Sequence, residues 1–295
     1  MSTSARISAR ILSPATAILL FLQGFIVLTG GAVRLTGSGL GCPTWPECTE
    51  GSYSPVDGQI EGQFHSWIEF ANRLLTFVLV LAALVTLIAV VRAGRKDLRV
   101  LAVGQFLGIF GQGVLGGITV LTDLNPLTVA AHFLLSTILI AAATSLYTRR
   151  NQPTRKKESQ RTPDIFSRVH VSLTAVVIIL GTLVTGAGPH AGDIDTPRLD
   201  LRIQSVTFAH GIAVAILLVL TLFFFLSPLT EEITKKRLAI FALLAFSQGA
   251  VGFIQYIQGV PELLVAAHIL GSVIIWISAW SIWLSVQREE MDIVK

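Results

Sequence analysis

This chain of 295 residues is poor in charge. Only 14% of it is Asp, Glu, Lys or Arg, against about 25% in a soluble domain. With a mean hydropathy of +0.70, that shortage puts the membrane class first. Cysteine is nearly absent. Cys42 and Cys48 are the whole supply, and no second Cys/His pair is spaced to complete a tetrahedral metal site. No basic–aromatic groove appears, so the net charge of +4 is no nucleic-acid signal. A cleavable signal peptide is not expected, because the apolar run at 12–33 is too long for an h-region. A transporter would favour broken helices with charges at mid-membrane, and no convincing example is present.

What the chain does have is apolar length. Eight stretches approach the ~20 residues needed to span a bilayer. They run over about 13–33, 67–91, 100–121, 128–148, 166–186, 204–226, 237–258 and 263–285. Of the 22 basic residues, all but Arg34, Arg73, Arg198 and Arg202 fall at the termini or in alternate connections. Short basic loops stay in the cytoplasm, so both termini are expected there. A bacterial cell membrane, crossed several times, is the simplest location.

The polar segment from Arg149 to Glu158, with Pro153, reads as a linker between two four-span halves, 1–150 and 151–295. The halves resemble each other. Thr36-Gly37-Ser38-Gly39 matches Thr185-Gly186-Ala187-Gly188, and Phe70-Ala71-Asn72 matches Phe208-Ala209-His210. Val129-Ala130-Ala131-His132 matches Val265-Ala266-Ala267-His268, each preceded at the same spacing by a glutamine, Gln112 or Gln248. Four spans return the chain to its starting side, so the copies share one orientation. The expected fold is all-α: eight transmembrane helices forming two parallel-repeat four-helix bundles.

Ionisable residues inside a membrane are functional candidates by default. His132, His210 and His268 fall at similar depth, near the outer face. Imidazoles from facing helices are what a heme iron takes as axial ligands. The bland alternative has each histidine hydrogen-bonding a neighbouring helix. His210 and His268 read as the bis-imidazole ligands of one heme. The first half offers His132 and Asn72, and a neutral Asn is a poor ligand for heme iron. His65 lies seven residues before Asn72, about 10 Å along a helix, and reaches that site only if the second span starts irregularly. His170 reads as structural. His190 reads either as lining a site mouth or as a surface loop histidine.

Other residues leave two readings open. Glu69 shares a helix face with Asn72, one turn further out. It can take protons or stabilise a cation beside a porphyrin, or it can pair with Arg73 or face water. The longest outer loop, 34–66, carries Cys42 and Cys48. In an oxidising compartment a disulfide is expected between them, as a structural staple or a redox-active pair. Arg34 can hold a heme propionate or sit at the lipid headgroups. The five tryptophans fit interfacial belts or packing.

Taken together, these residues resemble the heme A synthase family. In the first half the resemblance rests on Arg34 to Pro43 (RLTGSGLGCP), Ile68 to Arg73 (IEFANR), Gln112-Gly113 and Ala131-His132. In the second it rests on Thr185 to Asp193 (TGAGPHAGD), Phe208-Ala209-His210, Gln248-Gly249 and Ala267-His268. The resemblance implies oxidation of a ring methyl of heme O to a formyl group, giving heme A for cytochrome oxidase. It implies a heme b on His210 and His268, and a substrate porphyrin in the N-terminal bundle with His132 as a ligand. Glu69 matches an acidic residue tied to activity, and Cys42 and Cys48 match an outer-loop disulfide. The family has His where this chain has Asn72. Heme O synthase and cytochrome oxidase assembly factors are the partners implied, and a homo-oligomer stays open. A di-heme electron-transfer cytochrome is the main competing reading, and a membrane transporter the second.

Overall fold

Long apolar runs bounded by short polar loops fold into antiparallel helices here, because a helix satisfies its own backbone where no water can. A computed structural model describes residues 3–151, 154–156, 161–193 and 195–290. Pro153, Lys157 and Glu158 of the expected linker, and the terminal Lys295, lie outside the described residues.

Among the described residues, eight helices are long and apolar enough to cross a membrane. They are α1 (Thr3–Leu35), α2 (Gln63–Arg92), α3 (Arg99–Leu121), α4 (Pro126–Thr148), α5 (Arg161–Ala187), α6 (Ile203–Leu226), α7 (Glu232–Ile257) and α8 (Glu262–Gln287). This is a multi-pass membrane protein. Among the described residues, a short antiparallel pair, β1 (Thr154–Lys156) and β2 (Arg288–Glu290), and a 3-10 turn at Lys96–Leu98 add to the expected helices.

The helices pack in two closed circuits. α1–α2–α3–α4 closes through α1 on α4, and α5–α6–α7–α8 closes through α5 on α8. Each circuit has its own apolar core. Leu19, Ala83, Ala102 and Leu146 belong to the first, Phe224, Phe241, Ala279 and Ile282 to the second. A third cluster, including Val27, Ile140, Ile178, Val273 and Trp276, fills the seam where α1, α4, α5 and α8 meet. Gly24 and Gly31 of α1 let α8 approach closely: a Cβ at Gly31 would stand 2.8 Å from Ile269 and one at Gly24 3.2 Å from Val273. The outward faces stay apolar. Phe77, Leu81, Phe223 and Leu243 are exposed, as a lipid-facing surface requires.

Several polar side chains inside the circuits are paired across helices, since an unpaired polar group in hydrocarbon is costly. Gln23 donates to Gln105 at 2.7 Å, and Gln105 donates to the carbonyl of Leu139 at 2.5 Å. At the seam, Trp276 donates to the carbonyl of Thr137 and Trp280 to the hydroxyl of Ser145. These two tryptophans are packing residues, not an interfacial belt.

Two matching turns set the depth of the histidines. Leu124, just before α4, and Val260, just before α8, both adopt left-handed backbone, with φ of 55° and 65°. That conformation is uncommon for any residue but glycine and an outlier for a β-branched one. Asn125 then caps α4 by accepting from the Leu127 amide, with Pro126 in the first turn. His132 and His268 consequently occupy equivalent positions, six residues after Pro126 and Glu262.

Candidate functional site

His210 and His268 face each other between α6 and α8. Their ring centroids are 6.5 Å apart and their planes cross at 61°. His210 uses Nδ1 to bond the carbonyl of Val177 at 3.0 Å, which leaves Nε2 for another partner. This second contact is what orients a ligand imidazole in metal sites. His268 keeps a buried Nδ1 with no hydrogen-bond partner among the described residues.

Each of His132, His210 and His268 lies against a glycine of a neighbouring helix. A Cβ at Gly181 would stand 3.5 Å from His210 Cε1, one at Gly252 3.1 Å from His268 Cε1, and one at Gly116 3.0 Å from His132 Cε1. The glutamines complete the arrangement. Gln248 donates to the main-chain carbonyl of His268 at 2.5 Å, and Gln112 to that of His132 at 3.2 Å. Sequence reasoning found the glutamines as landmarks but missed their role. It missed the glycines altogether, although the same spacing separates Gln112 from Gln248, Gly116 from Gly252 and His132 from His268. A cavity of about 500 Å³, lined by Gln204, Ser205, Thr207, Phe208 and Tyr256, opens between the outer ends of α6 and α7.

In the first circuit Asn72 stands where His210 stands in the second. Its Oδ1 accepts from the hydroxyl of Thr29 at 2.7 Å. His65 lies in the first turn of α2, which starts at Gln63 and runs without a break to Arg92. That start is earlier than the expected 67 and regular, so the irregular entry His65 needed to replace residue 72 is absent. His65 Nδ1 is instead 2.9 Å from the hydroxyl of Ser38, which ties α2 to the exit of α1.

Glu69 is buried, 5% exposed. The reading in which it faces water is therefore excluded, and the pairing with Arg73 is realised. Glu69 Oε1 accepts from Arg73 at 2.5 Å and Oε2 accepts from the Cys42 amide at 2.7 Å. Arg73 also donates to the carbonyls of Cys42, Thr44 and Glu47. Cys42 and Cys48 form a disulfide, and both are fully buried. The pair on α2 thus grips the backbone of the disulfide loop. Gly41 has no room for a side chain, because a Cβ would collide with the carbonyl of His65.

Arg34 is half-buried. It donates to the carbonyl of His190 at 2.6 Å, while its buried Nε has no partner among the described residues. His190 in turn bonds the carbonyl of Val260 at 2.7 Å. The exit of α1, the 188–202 loop and the turn before α8 are joined through these two residues. His170 is fully buried at the other end, against Phe241 and the hydroxyl of Thr221.

Fold and site together define a multi-pass membrane protein with paired imidazoles between two of its helices. Residues 15–193, more than half of the chain, match the family described as cytochrome oxidase assembly protein (COX15-CtaA). The chain belongs to this family. Relatives named heme A synthase are similar along most of it. That of Symbiobacterium thermophilum is 28% identical over 83% of this chain and 86% of its own length. That of Azorhizobium caulinodans is 28% identical over 86% and 88%. The relative from Geobacillus thermodenitrificans is 32% identical, but the match spans only 36% of this chain and about a third, 32%, of the relative.

Proposed function

We propose that this protein is a heme A synthase that oxidises a ring methyl of heme O to a formyl group, taking the oxygen from water and giving up four electrons to an external acceptor, with a resident heme b between α6 and α8. The facing pair His210 and His268 carries the reading. A metal–imidazole nitrogen bond is about 2 Å. Two such bonds and the half-widths of two five-membered rings come close to the 6.5 Å between the ring centroids. Glycines 181 and 252 leave the imidazoles room, and the Val177 carbonyl fixes one ring. The donor set therefore fits a bis-histidine heme, which supplies one-electron transfer when bound.

The first circuit is the substrate half in this reading. His132 holds the heme O iron from α4. Asn72, engaged with Thr29, leaves the opposite side without an imidazole. A di-heme electron carrier would want a fourth histidine there, so Asn72 supports the enzyme over the cytochrome. The unbroken helices give the transporter no support. Glu69 is the catalytic carboxylate. Arg73 and the Cys42 amide fix its orientation, one turn outside residue 72 on the same face. From there it accepts a proton from the reacting methyl or stabilises positive charge on its carbon. Arg34 and His65, near the mouth of this half, contribute to porphyrin binding.

The same reading assigns residues 1–150 to substrate and 151–295 to heme b, with both termini cytoplasmic and both sites toward the outer face. Co-expression with a heme O source, then extraction and mass analysis of the hemes, tests it. Heme A is expected. Heme O left unchanged by protein that holds its heme b would overturn the assignment.

A further inference from the structure

A second cavity lies at the opposite end of the molecule from the histidines. It has a volume of about 510 Å³ and lies between α4 of the first circuit and α7 and α8 of the second. Tyr147, on its rim, is fifteen residues beyond His132 on α4, about 22 Å along the helix. This end carries the basic connections, with Arg92, Arg95, Lys235 and Lys236.

Two guanidinium groups, Arg150 and Arg237, line the groove. Arg150 lies over the ring of Tyr147 at 3.7 Å and donates to the Ser13 hydroxyl and the Tyr147 carbonyl. Arg237 donates to the carbonyl of Ser281 at 2.8 Å. Among the described residues neither has a carboxylate within ion-pair distance, and the hydroxyls of Tyr147, Thr148 and Ser278 make no hydrogen bond. Two like charges and free hydroxyl donors therefore share one recess, with no carboxylate among the described residues paired to either arginine. The rest of the wall is apolar, with Leu20, Ile240 and Ile277. Ile240 is 58% exposed on the lipid-facing surface, so the recess is continuous with the bilayer.

We propose that this groove binds the phosphate of an anionic phospholipid from the leaflet on the basic side. The guanidiniums and hydroxyls take the phosphate oxygens, as arginine does elsewhere. The acyl chains run out past Ile240 and Ile277. Basic pockets between membrane helices on the cytoplasmic side recognise lipid headgroups by this chemistry. A zwitterionic lipid brings its own cation toward the arginines and is disfavoured. Because α4 belongs to one circuit and α7 and α8 to the other, the bound lipid bridges the two.

The test uses the full-length protein in nanodiscs of mixed phosphatidylglycerol and phosphatidylcholine, followed by delipidation and native mass spectrometry. The wild type is expected to retain phosphatidylglycerol selectively. In Arg150→Gln/Arg237→Gln the retention should fall by about tenfold or more, the scale for two basic residues at a membrane surface. Arg150→Lys/Arg237→Lys should keep most of it. Equal retention of both lipids by the wild type would overturn the proposal, and that measurement needs no variant to fold. Undiminished selectivity in the glutamine variant with its heme content intact would overturn it too. So would displacement of the lipid by inorganic phosphate, which would make the ligand a free anion.

Discussion

Gln248 reaches from α7 to α8 and donates from Nε2 to the main-chain carbonyl of His268 at 2.5 Å. The bond falls on the backbone of a candidate ligand and leaves its ring free. Gln112 does the same for His132 across α3 and α4. The glutamine thus fixes the height of the histidine helix, and the glycine one turn further along receives the ring.

Gln248→Leu should insert normally and lose about 1 kcal/mol of stability, the worth of one such bond. Gly252→Val should disturb the site more, since its Cβ would meet His268 Cε1 at 3.1 Å. Reduced visible spectra of both variants are the measurement. A shifted or weakened low-spin heme signal is expected, largest in the glycine variant. Wild-type spectra in both would show that neither residue positions His268.

His210→Ala and His268→Ala should each abolish low-spin heme b, because one imidazole cannot replace two. His132→Ala should leave that signal in place, since its helix belongs to the other circuit. Heme b content after purification decides the matter. Retention in both of the first two variants would remove the bis-histidine assignment.

Glu69→Gln should insert, keep its heme b and accumulate unconverted heme O. The amide can still accept from Cys42, but it loses the charge facing Arg73. Because Glu69 also anchors the loop, Arg73→Gln is the companion variant. Loop grip alone would make the two variants equally inactive and equally protease-sensitive in the 36–62 loop. A catalytic Glu69 makes Glu69→Gln the less active of the two at equal loop protection.

Thiol labelling of unreduced protein should find neither Cys42 nor Cys48, as both are in the disulfide. Cys42→Ser/Cys48→Ser should lower stability by about 2 kcal/mol in the chain-entropy model for so short a loop. Thermal unfolding in detergent measures it. Labelling of both cysteines without reductant would contradict the bond.

Asn72→His should move a high-spin porphyrin signal toward low spin without changing the heme b signal. It supplies the imidazole that the first circuit lacks, at the cost of the Thr29 bond. Electron paramagnetic resonance of the heme O-loaded protein reads the change. Two bis-histidine hemes already present in the native protein would refute the idea.

The sequence by itself determined the eight spans, with every end but the start of the first placed within about five residues. Hydrocarbon tolerates only helices of sufficient apolar length, and that length is written in the chain. It also showed the repeat and its histidines, because internal matches need no folding to be seen. Several pairings had no such signal. Glu69 with Arg73 sits at a spacing common to any helix, and only the loop laid over the pair shows the carboxylate buried and committed to the Cys42 amide. Arg34 meets His190 across 156 residues of chain, a contact that no local pattern encodes. The glycines beside the three imidazoles read as ordinary small residues until neighbouring helices are brought within van der Waals range. Period and composition are properties of one segment. Which faces meet, and which polar atoms are left for a ligand, depends on how the segments pack, and only the tertiary structure decided that.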